Sequence, residues 1–249
     1  MAREMRAKKI WLGAVLLGAL SFTALAAPIT PVMAQDYKAV LAAPDRSEAD
    51  RSNDAKRNAL ELLTFAGPKT GWRVLDMGAG AGYSTELMAR AVGPTGKVYG
   101  QNDKASERFA ARMKTPGMAN VEAVTAPFDA PAPAGVRDLD LVTFFFAYHD
   151  TTFMEVDRAK MNKAIYDALK PGGFLVIADH SARPGEGATV GKTTHRIEES
   201  TLITEVTAAG FKHVATGDFL RNPDDPRTVS VHKSGIKNDE FVLRFQKPM

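Results

Sequence analysis

The sequence predicts a doubly wound α/β domain with a mostly parallel sheet, and two observations carry that prediction. From Trp72 onward, short apolar runs of strand character alternate with helical stretches, the pattern of parallel βαβ units covered on both faces. A glycine-rich turn, Gly78 to Gly82, joins the first of these runs to the first helix after it. A third observation adds a segment of another kind ahead of the domain. There a basic and then apolar leader is followed by a charged, alanine-rich stretch.

Each element has its own signal. In the stretch from Gln35 to Pro68 the periodicity supports one helix, Asp54 to Phe65, with Ala59, Leu60, Leu62, Leu63 and Phe65 on its apolar side. The alternating charges of Asp45 to Arg57 read as a solvated helix face; in a sharper reading the extension folds over the mouth of the domain. Arg73 to Met77 is the first buried strand, and a helix from Ser84 to Val92 follows, stopped by Gly93-Pro94. Lys97 to Gln101 is the second strand, Ser106 to Lys114 a helix, and Val121 to Thr125 the third strand. Leu139 to Phe146 is an apolar, aromatic fourth strand, as a central strand buried on both faces should be. Thr152-x-x-Glu155 has the form of a capping box opening a helix with Met161, Ala164, Ile165, Ala168 and Leu169 on one face. Lys170-Pro171-Gly172-Gly173 ends that helix before a fifth strand, Phe174 to Ala178. A helix near Arg196 to Ala209 and two final strands, His213 to Thr216 and Phe241 to Gln246, complete a seven-stranded plan.

Composition narrows the function classes. The 249 residues contain no cysteine, which excludes disulfides, thiolate metal sites and a thiol nucleophile. Residues 1–34 hold four of the 32 basic side chains and one of the 29 acidic, leaving 28 of each in the rest. The basic excess therefore belongs to the leader, and no nucleic-acid partner is expected. Arg3, Arg6, Lys8 and Lys9 precede an uncharged run from Ile10 to Ala27, the two parts of a secretory signal. Val32-Met33-Ala34 offers a cleavage site that leaves Gln35 first, and Ala24-Leu25-Ala26 offers a second. Uncleaved, the run approaches the ~20 residues that span a bilayer, so any membrane attachment would come through the leader alone. The expected organisation is a signal peptide at 1–34, a helical extension at 35–67 and the α/β domain at 68–249, exported and periplasmic.

The glycine turn reads Asp76-Met77-Gly78-Ala79-Gly80-Ala81-Gly82-Tyr83-Ser84. A dinucleotide fold would have Gly-x-Gly-x-x-Gly, whereas here Tyr83 takes the last glycine's slot, and no Gly-Lys-Ser/Thr of a phosphate loop follows. The segment resembles motif I of the class I S-adenosylmethionine-dependent methyltransferases. Three further segments fit that family in order: Gly96 to Asn102, Leu169 to Asp179, and Thr207 to Phe211. The resemblance spans roughly residues 54–249 and implies a Rossmann-like methyltransferase sheet with S-adenosylmethionine as cofactor. It also implies that Gly78, Gly80 and Gly82 line the methionine and ribose part, with Asp76 near the amino end. The acid that normally takes the ribose hydroxyls is Asn102 here, and Phe128 falls where the family packs the adenine.

Methyl transfer from a sulfonium needs an acceptor held in line and, for a hydroxyl acceptor, a base. The fourth and fifth strands end in Ala147-Tyr148-His149-Asp150 and Asp179-His180-Ser181, each setting a histidine beside a carboxylate. His149 or His180 is the expected base, with Tyr148 and Asp150 positioning a small-molecule acceptor. His195 opens a segment expected to cross the same edge, while His213 and His232 read as structural or exposed. Asp150, Asp179 and His180 lack a diagnostic metal spacing, so no metal is expected. The alternative to an enzyme is an exported binding or scaffold protein that retains the fold. Oligomeric state leaves no signal in the sequence.

Overall fold

The computed structural model describes Met1 and residues 36–249; the expected leader and its cleavage sites lie outside the described residues. Residues 35–249 form one compact unit. Among the described residues, no helix is long and apolar enough to cross a membrane.

The unit opens with three helices, α1 (Tyr37–Ala42), α2 (Glu48–Lys56) and α3 (Ala59–Ala66). Where one helix was expected over 54–65 there are two, because Asn58 adopts a left-handed conformation (φ 43°) and breaks the chain between α2 and α3. Ser47 caps α2 by accepting the amide of Asp50. The sheet begins with β1 (Arg73–Met77), followed by α4 (Tyr83–Val92), β2 (Lys97–Asn102), α5 (Glu107–Arg112), β3 (Val121–Thr125) and β4 (Leu139–Phe145). A 3-10 turn (His149–Thr152) leads to α6 (Arg158–Ala168) and β5 (Leu169–His180). Then come α7 (Gly191–Thr194), α8 (Glu199–Ala208), β6 (Lys212–Gly217) and β7 (Glu240–Gln246).

The strands form a seven-stranded sheet in the order β3-β2-β1-β4-β5-β7-β6. β1 to β5 run parallel, and β7 is antiparallel to both β5 and β6. The chain thus goes outward from β1 to β3 and returns to β4 beside β1, so the order reverses between those two strands. Ligands in open α/β sheets sit at the carboxyl ends of such a reversal.

Alternation along the strands divides the core into two layers. Val74, Val98, Leu141, Val176 and Val242 face α4 and the extension, where Val40, Leu62, Leu63, Ala66, Leu87 and Met88 close the layer. Leu75, Met77, Val142, Phe144 and Leu175 face α6 and α8, packing on Met161, Ile165, Leu202 and Val206. Two local expectations fail. Thr152 opens no helix: its hydroxyl turns back to the His149 carbonyl, and Asp157 caps α6 through the Lys160 amide. Lys170 to Gly173 belong to β5, which starts at Leu169 and accommodates them through a register shift opposite Leu139 and Leu141.

The charged stretch at 45–57 is also not a plain solvated face. Arg46 is buried and pairs with Asp54 at 2.6 Å, and buried Asp50 takes a two-pronged bond from Arg112 at 2.7 and 2.9 Å. The second pair fastens α2 to α5, and the same Arg112 donates to Glu86 of α4 at 2.6 Å.

Candidate active site

The loop after β1 crosses the sheet edge with Gly78, Gly80 and Gly82 all at positive φ (62°, 57° and 86°). Side chains rarely adopt that backbone, so the loop requires glycine for its path. Gln101 and Asn102, the last two residues of β2, hold it in place. The Gly78 amide donates to Gln101 Oε1 at 3.1 Å, and Gln101 Nε2 donates to the Ala126 carbonyl at 2.6 Å. The Gly80 amide donates to Asn102 Oδ1 at 2.7 Å, while Asn102 Nδ2 reaches the Gly80 carbonyl at 3.3 Å. Asn102 therefore braces the loop from below. Gln101 was not foreseen, because a glutamine in a strand gives no signal of the loop it will meet.

Asp76 lies under the loop. It is fully buried and accepts from the hydroxyls of Ser84, Thr85 and Thr143 at 2.8, 2.6 and 2.7 Å. Burial raises its pKa, and the three hydroxyls oppose that rise. Its carboxylate joins β1, β4 and α4 through these three hydroxyls. Phe128 is likewise buried, stacked on Phe144 with ring centroids 5.5 Å apart.

A cavity of about 370 Å³ opens above the loop. Gly78, Gly80, Tyr83 and Ser84 form one wall, Ala59, Leu62 and Leu63 of α3 a second, and Phe146, Ala147 and Asp150 a third. The extension thus supplies part of the cavity's wall. Arg57 lies across the boundary with its guanidinium 4.0 Å from the centre of the Phe146 ring. Beyond Arg57 a second hollow of about 500 Å³ is lined by His180, His232, Asn238 and Glu240. Phe146 itself has φ 59°, a strained value that turns its ring into the space between the two hollows.

At the ends of β4 and β5 the structure gathers His149, Asp150, His180 and His195. Buried Asp179 accepts the His149 amide through Oδ2 at 2.8 Å and faces His149 Nδ1 with Oδ1 at 2.6 Å. His149 Nε2 then faces Asp150 Oδ1 at 3.2 Å, and His195 Nδ1 stands 3.5 Å from the same oxygen. Burial disfavours the charge on His149, but Asp179 and Asp150 outweigh it and lift the pKa to about 10. Burial pushes Asp150 the other way, yet His149 and His195 hold its carboxyl below its ordinary value. His180 Nδ1 lies 2.9 Å from Glu240 Oε1, and its ring stands 5.2 Å from Phe146. His232 joins the cluster, its ring centre 4.8 Å from that of His195. Tyr148 is not part of the cluster. It is fully buried toward α6 and α8, donating to Glu205 and accepting from Asn162, both at 2.8 Å.

A methyltransferase-domain family matches residues 74–173, from β1 to the start of β5. The ubiquinone/menaquinone biosynthesis C-methyltransferase UbiE of Cronobacter sakazakii is 31% identical over 185 residues, 72% of each chain. Its namesake from Enterobacter sp. strain 638 is 26% identical over the same shares. The chain belongs to the class I S-adenosylmethionine-dependent methyltransferases. Among solved structures, a methyltransferase from Aquifex aeolicus has the same fold, with a TM-score of 0.60 at 19% identity, covering 85% of this chain and 98% of that one.

The cofactor of this methyltransferase is S-adenosylmethionine, and the residues around the loop fit it. The cavity lies within the ~300–1,000 Å³ usual for small-molecule sites. A side chain at Gly80 would meet nothing nearer than the Gly78 carbonyl at 4.0 Å, so the backbone there is open to a ligand. Asp150 and Arg57 add one charge of each sign to the cavity's lining, which suits the ammonium and carboxylate that the cofactor carries.

Proposed function

We propose that this methyltransferase modifies a small molecule bearing an ionisable hydroxyl, and that it does so after export. One observation carries the reading of the acceptor: the glycine loop and Asp150 share one cavity whose remaining wall is the apolar face of α3. When bound, the cofactor supplies a methyl group already activated on sulfur. The chain then has to bind the acceptor, keep water out and take up a proton. Leu62 and Leu63 suit an apolar body, and the acceptor's hydroxyl would reach past Phe146 into the second hollow, where His180 lies.

His180 is the base in this proposal. His149 keeps its proton between Asp179 and Asp150 at neutral pH, which leaves it to orient rather than to accept. His180 stands next to Glu240 and Phe146 in the second hollow, where Glu240 would steady the imidazolium formed by proton uptake. Removing a hydroxyl proton makes the oxygen nucleophilic and, on an aromatic ring, the neighbouring carbons as well. The C-methylation in the relatives' names fits that chemistry.

The test is cofactor binding by calorimetry on the purified chain, then release of S-adenosylhomocysteine with a panel of hydroxylated aromatic compounds. The cofactor should bind, at least one compound should turn over, and His180→Gln should slow turnover by about 10²–10⁴-fold, the usual worth of a general base. Binding without turnover on any compound would remove the acceptor class. Normal turnover by His180→Gln would remove the base. Export is tested by fractionating cells and determining the N-terminal residue: Gln35 in the periplasmic fraction is expected, and an intact leader in the cytoplasm would overturn it.

A further inference from the structure

We propose that His149, Asp150 and His195 form a binding site for a divalent transition-metal ion of the zinc type. The candidate donor atoms are His149 Nε2, one Asp150 carboxylate oxygen and His195 Nδ1, which all lie within 4.8 Å of one another, and the ion would take the place of the proton that His149 otherwise holds, releasing it to solvent. Two of the three separations are 3.2 and 3.5 Å. A tetrahedral ion with bonds of ~2.0–2.1 Å to nitrogen and oxygen requires ligand atoms ~3.3 Å apart. The third separation, between the two ring nitrogens, closes by a turn of the His195 ring, which is partly exposed.

Three further features point the same way. Asp179 holds His149 Nδ1 at 2.6 Å and the His149 amide at 2.8 Å, so the ring is fixed with Nε2 turned toward Asp150. A buried carboxylate on the far nitrogen is the usual support of a metal-ligating histidine. His195 reaches the cluster at a cost, since its backbone is left-handed (φ 55°, ψ 50°). The next residue secures it there: Arg196 is fully buried, paired with Asp225 at 2.9 Å, and donates to the Ser181 carbonyl at 3.0 Å. The charges are also suited to a cation, because the carboxylates of Asp150 and Asp179 stand against these two histidines.

With three protein donors, one coordination position stays open, as in catalytic rather than structural zinc sites. Asp150 lines the glycine-loop cavity, so this position faces the space assigned above to the acceptor. Only this last point, that the open position takes the acceptor's oxygen, rests on the proposed methyl transfer to a hydroxyl compound. The metal site itself does not.

The experiment uses the purified full chain, stripped with a chelator and titrated with Co²⁺, whose visible absorption reports its ligand set. One equivalent should bind with the spectrum of a four- or five-coordinate ion, and Zn²⁺ should displace it, following the usual order of affinities. Asp150→Ala and His195→Ala should each weaken binding at least tenfold. Asp179→Asn should weaken it about 10–100-fold, as loss of such a supporting carboxylate does. His213→Ala, on β6, should leave it unchanged. Circular dichroism checks the fold of every variant, and the two partly exposed ligands decide the matter if Asp179→Asn fails to fold. No stoichiometric Co²⁺ in the parent protein, or an unchanged spectrum in His195→Ala, would overturn the site. Calorimetry with S-adenosylmethionine on stripped and loaded protein separates the two proposals. Cofactor binding without metal binding removes only the metal site, and metal binding without cofactor binding removes only the reading of the cavity.

Discussion

A methyl group at the α-carbon of Gly78 would stand 3.0 Å from Ala147 Cβ and 3.2 Å from the Phe144 ring, in a backbone at φ 62°. Gly78→Ala therefore carries both the ~1–2 kcal/mol of a left-handed side-chain residue and a clash with the end of β4. We expect a lower melting temperature and cofactor affinity at least tenfold weaker, measured by thermal denaturation and calorimetry. Unchanged affinity would mean that the loop does not touch the cofactor. The glycines were legible in the sequence because their spacing follows directly from the backbone they must adopt. The polar residues near them were less so, because their roles depend on the direction of each side chain. Asp76 shares its face with Val74, so strand alternation turns it under the loop toward Ser84 and Thr85 rather than up to the cavity. Asn102 matches the ribose slot by position but meets the Gly80 backbone, a partner brought near only by the folded loop.

The helices before the sheet show where local pattern misleads. Alternating charge at 45–57 looks solvated because the partners lie elsewhere in the chain: Arg112 for Asp50, and Arg90 for Asp45. Arg112 holds the Asp50 carboxyl below the ordinary carboxylate range, against the opposing effect of burial. A carboxyl depressed in the folded state adds stability above its unfolded pKa of ~3.9, and that stability is lost as pH falls through the lower folded value. Acid should therefore loosen α2. Asp50→Asn should cost about 2–3 kcal/mol at neutral pH, somewhat under the ~3–5 kcal/mol of a wholly buried pair. The penalty should shrink in acid, where the parent loses the same interaction, and urea unfolding at pH 7 and pH 3 measures both. A penalty that does not change with pH would show that Asp50 acts by packing alone. The histidine cluster was more legible: His149-Asp150 and His180 were visible as strand ends and His195 as opening a segment over the same edge. His232 is exposed, as expected, and the loop after β6 sets its ring beside His195, a contact that only the fold supplies.

Across the whole molecule, the strands and their parallel arrangement were legible because buried strands and the helices between them write their periods directly into the sequence. The contacts that unite the extension with the domain were not, since they depend on Tyr83 meeting Asp54 at 2.7 Å and Asn58 meeting the Phe219 carbonyl at 2.7 Å. These contacts tie residues 36–66 to α4 and to the loop after β6, and Leu62 and Leu63 serve at once in the core and in the cavity wall. Cofactor binding and unfolding should then be coupled through the entire unit. A ligand at a hundred times its Kd stabilises a folded state by ~2.7 kcal/mol. For a domain of this size, each kcal/mol raises the melting temperature by ~2–4 °C. Saturating S-adenosylmethionine should thus shift a single melting transition upward by ~5–10 °C and slow proteolysis between α1 and α3 in the same measure. If the main transition shifted while cleavage at 43–58 stayed as fast, the extension would be opening independently. It would then contribute nothing to holding the cofactor, and the wall that α3 provides would be incidental.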